Sequence, residues 1–178
     1  MRAFVALPLP DALIDPVQAI QARLPAGRAV PQDNLHLTLA FLDDQPEDAL
    51  AEIDFGLSAL RAAPVPLRLA GLTSFGGDHG QALALIADPD PALIALHDAV
   101  RRAVMAAGVT LPRRRFRPHV TIARLRRGDT ARPDMQAALA TQAGVALPPA
   151  LADRLALVGS TLAPGGARHE ILATYPLG

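Results

Sequence analysis

Two nine-residue stretches of this chain repeat one pattern. Asn34–Leu42 carries His36 and Thr38, and Arg117–Leu125 carries His119 and Thr121, each pair two positions apart in an apolar run. Both runs also hold an alanine four residues after the histidine and a leucine six residues after it. Side chains alternate across a β-strand, so His36, Thr38 and Ala40 share one face while Leu35, Leu37 and Leu39 share the other. The apolar face turns to the core, which leaves one imidazole and one hydroxyl presented together from a rigid strand. Two of the five histidines in such similar settings point to a paired site rather than to two tolerated core histidines.

Unperturbed imidazoles titrate near ~6.5, so two of them can hold opposite protonation states around neutral pH, one taking a proton while the other gives one. In-line cleavage of a phosphodiester needs such a pair: a base on the attacking oxygen, an acid on the departing one, and donors on the non-bridging oxygens. Thr38 and Thr121 can supply the donors. Zinc is the rival use for paired histidines, but there is no His-Glu-x-x-His and no carboxylate inside either motif. Cysteine is absent, which removes disulfides, thiolate ligands and cysteine nucleophiles. Lysine is absent too, which removes Schiff bases, nucleotidyl-lysine intermediates and the P-loop. No serine lies in a nucleophile-elbow context; Ser58 reads as helix surface and Ser74 as loop.

Formal charge is zero, yet Arg113, Arg114, Arg115, Arg117, Arg124, Arg126 and Arg127 fall within fifteen residues that contain no acid and bracket His119. Guanidinium forks pair with phosphate oxygens, so the cluster suits a phosphate-bearing ligand, although several of these side chains can simply decorate solvated loops.

These residues must be positioned by one compact unit, since 178 residues are few for two independent domains. With 51% hydrophobic and 19% charged residues the composition is that of an ordinary globular chain. The apolar N-terminal run is cut by Pro8 and Pro10 and is too short for a signal-peptide core or a membrane span, so a cytoplasmic chain with no membrane contact is expected. Helices are predicted from Asp11 to about Leu24, from Pro46 to about Arg61, from Asp90-Pro91 to about Ala107, and from Arg132-Pro133 to about Gly144. Strands are predicted over Arg2–Leu9, the two histidine runs, Val65–Leu72, Gln81–Ala87, Arg154–Thr161 and His169–Pro176. A glycine-rich loop is expected from Gly71 to Gly80, and a turn at Ala163–Gly166. The order strand, helix, histidine strand, helix, strand thus occurs twice with an offset near eighty residues. That reads as an internal repeat, about 1–75 and 80–178, forming a single bilobal domain over 1–178. The expectation is an α+β fold: two mostly antiparallel sheets, helices outside, and a pseudo-two-fold axis through a central cleft where the histidine strands face each other.

The motifs His36-Leu37-Thr38-Leu39 and His119-Val120-Thr121-Ile122 resemble those of the two-histidine phosphoesterase superfamily. Their surroundings resemble its RNA 2′,3′-cyclic phosphodiesterases, formerly called 2′-5′ RNA ligases, over Arg2–Leu7, Asn34–Leu42, Gly71–Gly77, Phe116–Leu125 and Ser160–Leu177. The resemblance implies metal-independent hydrolysis of a 2′,3′-cyclic phosphate, on RNA ends or cyclic nucleotides, to a 2′-phosphomonoester. It implies no cofactor, and we expect a monomer. His36 would be the proton donor to O3′ and His119 the proton acceptor from water. Thr38, Thr121 and Arg124 would bind phosphate, and Phe41 would stack on a base. The alternatives are a nucleotide- or RNA-binding module without turnover, and reversible 2′-5′ ligation. Strict alternation puts Phe41 and Arg124 opposite the histidines, where Phe41 could equally be core filler; a bulge would return both to the histidine face. His79 and His97 read as surface residues, and His169 stands where the family pattern leads us to expect an aromatic.

Overall fold

The computed structural model describes residues 1–77, 80–163 and 166–178. His79 and the middle of the turn expected at Ala163–Gly166 lie outside the described residues. The strands are β1 (Arg2–Pro8), β2 (Arg28–Ala29), β3 (His36–Asp44), β4 (Val65–Leu67), β5 (Leu69–Gly77), β6 (Gly80–Ala87), β7 (His119–Leu125), β8 (Ala150–Ala152), β9 (Arg154–Ala163) and β10 (Gly166–Pro176). Four helices accompany them: α1 (Ile14–Gln21), α2 (Glu47–Ser58), α3 (Pro91–Ala106) and α4 (Pro133–Gln142). The fold is α+β, with antiparallel pairing throughout, and no described helix is long and apolar enough to cross a membrane.

Eight strands form one sheet, and β4 pairs with β8 in a separate ribbon. The large sheet has two four-stranded halves, β10-β9-β1-β3 and β5-β6-β7-β2, joined where β3 meets β7 through the single register pair Leu37↔Val120. Connections cross this seam. β5 pairs with β6 and β9 with β1, α3 packs against β3, and α1 packs against β7. Each half therefore needs chain from both ends of the sequence to bury its apolar face.

Alternation explains which face does so. Leu37, Leu39, Val120 and Ile122 are fully or almost fully buried beneath the helices, with Leu13, Val17 and Ile20 of the first helical segment and Leu93, Leu96, Val100 and Val104 of α3 in the same core. Helix α3 starts where expected, because the Asp90 carboxylate accepts the Ala92 N–H at 2.9 Å and Pro91 suits a first turn. The first helix departs from expectation. Asp11–Leu13 form a 3-10 turn and α1 begins only at Ile14, since Pro16 could not donate to Ala12 in a helix begun at Asp11 but is harmless in a first turn.

Three other expectations are corrected. Gly71–Gly77 is not a loop but most of β5, carrying Ser74 with it; Leu72, Thr73 and Phe75 favour a strand, and Gly71, at φ +72°, sits in a bulge opposite the Ala70–Leu72 register shift. The expected strand Val65–Leu72 is split into β4 and the start of β5. His97 is not a surface residue: it lies on the buried stripe of α3, its ring stacked on Phe116 at 3.9 Å and its Nδ1 3.0 Å from an Asp98 carboxylate oxygen.

Leu37 is the one β3 residue registered with the other half-sheet, and it is completely buried. Leu37→Ala is expected to cost about 2–5 kcal/mol of stability, the range for a truncated core leucine whose cavity collapses only in part. Chemical denaturation measures it, and a loss below about 1 kcal/mol would mean that the seam is held elsewhere.

Candidate active site

Both histidine strands carry a bulge at the same place. Along β1–β3 the register runs Val5↔Ala40 and then Ala6↔Thr38, making Leu39 the extra residue; along β6–β7 it runs Leu83↔Ala123 and then Ala84↔Thr121, making Ile122 the extra residue. Each bulge falls three residues after its histidine and shifts the alternation by one. Phe41 and Arg124 are thereby returned to the histidine face. Phe41 is 64% exposed, so it is not core filler, and both residues line the same cavity as His36, Thr38, His119 and Thr121.

The second bulge is pinned from behind. The Ile122 carbonyl accepts the Val30 N–H at 2.9 Å and the Gln21 amide at 2.8 Å, and the same amide donates to the Val30 carbonyl at 2.9 Å. Gln21, at the end of α1, thus fixes the strand geometry that aims Arg124 into the cleft.

The imidazoles are held alike. His36 Nδ1–H donates to the Asn34 carbonyl and His119 Nδ1–H to the Arg117 carbonyl, each at 2.7 Å across two residues of chain. A carbonyl can only accept, so each ring in its neutral form carries its proton on Nδ1, and among the described residues Nε2 has no hydrogen-bond partner. Aromatic rings brace both from the side. Phe4 stacks on His36 at 4.7 Å and Phe75 on His119 at 4.4 Å, both at 26° between planes, and the Arg117 guanidinium lies 4.9 Å from the Phe75 ring centre. The hydroxyls of Thr38 and Thr121 have no hydrogen-bond partner among the described residues.

The cleft encloses about 330 Å³, enough for a small ligand group. Of the seven clustered arginines, Arg124 alone lines it; Arg113, Arg114 and Arg115 line a separate groove beside α3. Two cleft arginines, Arg2 and Arg28, were not singled out by sequence. Arg28 lies in the two-residue strand β2, opposite Arg124 of β7, and β2 is too short to leave a periodic signal. His169 is also in the cleft, edge-on to Phe4 at 5.0 Å and to His36 at 5.3 Å, occupying as an imidazole the place where the family resemblance leads us to expect an aromatic. Among the described residues no three His, Asp or Glu side chains converge as a metal site.

Burial holds the His36 imidazole at about 4, well below its ordinary value; the hydrogen bond to the Asn34 carbonyl opposes the shift, and His169, Arg124 and His119 add to it. Burial, then Arg124, also lowers His169. Arg2, Arg28 and Arg124 line the cleft together with Asp43, and burial holds its His36 ring toward the neutral form.

Residues 9–161 match the family described as the 2′-5′ RNA ligase superfamily. An RNA 2′,3′-cyclic phosphodiesterase of Geobacillus stearothermophilus is 33% identical over 133 residues, 71% of this chain and 42% of that protein, so the chain spans less than half of that relative. The protein of the same name from Escherichia coli K12 is 33% identical over 132 residues, 69% of this chain and 71% of the relative. The fold is similar to that of E. coli LigT complexed with 3′-AMP, at TM-score 0.73 and 25% identity over 99% of this chain and 96% of that one.

The depressed His36 sets a sign. The folded protein takes up this proton only as pH falls toward about 4, whereas an unfolded chain takes it up near ~6.5, so stability contributed by the neutral ring is lost as pH falls through that window. Proton NMR titration of His36 should give a midpoint near 4, and saturating inorganic phosphate should move it upward because an anion favours the imidazolium. An ordinary midpoint indifferent to phosphate would contradict this picture of the cleft.

Proposed function

Since the chain belongs to the 2′-5′ RNA ligase superfamily, we propose that it hydrolyses 2′,3′-cyclic phosphates at RNA ends to 2′-phosphomonoesters, with His36 and His119 as proton donor and acceptor and without a metal. The observation that carries this reading is the matched pair of imidazoles, each with Nδ1–H on a backbone carbonyl and, among the described residues, no partner on Nε2, on one cavity with both threonines and Arg124. The curated relatives' name and the 3′-AMP complex of E. coli LigT support a nucleotide phosphate as the ligand.

In this mechanism His119 Nε2 takes a proton from water as its oxygen attacks phosphorus. The P–O3′ bond breaks on the opposite side, and His36 delivers its proton to O3′. The 2′-oxygen keeps the phosphate, and proton exchange with solvent resets the pair. A neutral His36 is compatible with an acid role only if the substrate brings the proton's counter-charge: burial is the main cause of the lowered ring, and an anionic phosphodiester beside it favours the imidazolium and offsets the smaller push from His169, Arg124 and His119. Thr38 and Thr121 donate to the non-bridging oxygens as their charge redistributes, and Arg124 balances that charge. Phe41, exposed at the cleft margin, offers a face for the terminal base.

Two measurements test the reading. Hydrolysis of a 2′,3′-cyclic nucleotide should persist undiminished in chelator; its loss there would mean that a metal does part of the work. Thr38→Val or Thr121→Val should leave folding intact, because valine suits a strand, yet lower kcat by about ten- to a thousandfold, the scale of one lost transition-state donor and below. His36→Ala and His119→Ala should each cost more, and the double variant little beyond the worse single, since acid and base act as a unit. Valine variants of normal kcat and lowered Tm would make the hydroxyls structural.

A further inference from the structure

Arg28 and Arg124 stand directly opposite each other across the β2–β7 pair, and among the described residues neither has a carboxylate within 4.0 Å. Like charges at opposed strand positions repel, and no described ion pair offsets the cost. These two residues also line two cavities at once. One is the catalytic cleft; the other is a groove of about 540 Å³ that continues past Gly27 to Arg126 and Arg132.

The groove's other charged groups are Arg126, Asp129 and Arg132. Asp129 accepts the Arg126 backbone N–H through one carboxylate oxygen at 2.7 Å, and Arg132 is held by both oxygens of Asp134, at 3.0 and 2.6 Å. Arg126 itself has no carboxylate within 4.0 Å among the described residues. An excess of positive charge, set against the Asp129 carboxylate that lines the same groove, therefore runs from the cleft into the groove as Arg124, Arg28 and Arg126. Gly27 is what lets β2 lie so close: at φ +92°, a Cβ there would meet Leu125 Cδ2 at 2.5 Å and the Arg124 carbonyl oxygen at 3.0 Å.

We propose that this groove is a second phosphate subsite. A terminal nucleotide whose 2′,3′-cyclic phosphate sits between the histidines has one other phosphate, the internucleotide phosphate on its 5′ side, and the Arg28–Arg124 pair at the junction of the two cavities can bridge both anions. The preferred substrate is then the end of an oligonucleotide of two or more residues rather than a cyclic mononucleotide. This rests on the phosphodiesterase reading above and narrows its substrate class.

The test compares a dinucleotide bearing a terminal 2′-phosphate with the matching nucleoside 2′-phosphate in calorimetric titrations, alongside turnover of the two corresponding cyclic phosphates. The dinucleotide should bind about tenfold tighter and be the better substrate by kcat/KM. Its log Kd against log salt should be steeper by about 0.7, the increment for one further neutralised phosphate of a single strand. Arg126→Ala should abolish that preference and the extra salt slope, Arg126→Lys should keep part of both, and Arg113→Ala, in the separate groove, should change neither. Equal wild-type affinities, or a preference that survives Arg126→Ala, would overturn the subsite. Should neither cyclic phosphate turn over while the Arg126-dependent preference in binding remains, the hydrolytic reading fails and the subsite stands.

Discussion

The two half-sheets meet at Leu37 and Val120, and the placing of the chemistry follows from that one register pair. Each residue is the immediate successor of a motif histidine. Fixing these two side chains in the core, with opposite faces of the same strands turned to solvent, sets His36 and Thr38 beside His119 and Thr121 on a common cavity. A slip of one residue on either strand would turn its imidazole inward and its leucine or valine outward. The hydrophobic effect that buries Leu37, Leu39, Val120 and Ile122 is thus also what holds the imidazoles in register.

Electrostatics then distinguishes the cleft from an ordinary sheet surface. Arg2, Arg28 and Arg124 line it, the third imidazole of His169 sits against His36, and among the described residues Asp43, at the rim of β3, is the one carboxylate in its lining. Burial is the main reason the His36 ring is held toward its neutral form, and His169, Arg124 and His119 add to the shift.

The sequence made the paired site legible because both motifs combine a period-two apolar pattern with residues that carry chemistry. It could not settle Phe41 and Arg124, since alternation alone puts them on the wrong face and the bulges at Leu39 and Ile122 leave no mark in residue types. Gln21 and Arg28 were invisible for another reason. Their roles depend on contacts with β7 a hundred residues further along, made through a helix end and a two-residue strand. His97 was misread because an imidazole in a helix looks polar, whereas its position on the Leu93–Val104 stripe and the facing Phe116 ring decide its burial.

The central claim is that one imidazole gives a proton while the other takes one across a single phosphate. The most direct measurement is kcat/KM against pH for a 2′,3′-cyclic nucleotide, in the parent chain and in His36→Ala and His119→Ala. The parent should give a bell. His36→Ala should retain the fall at low pH and lose the fall at high pH, because no acid then remains to be deprotonated; His119→Ala should do the reverse. A parent profile flat from about pH 5 to 9, or two variants that lose the same limb, would contradict the division of labour between the two histidines.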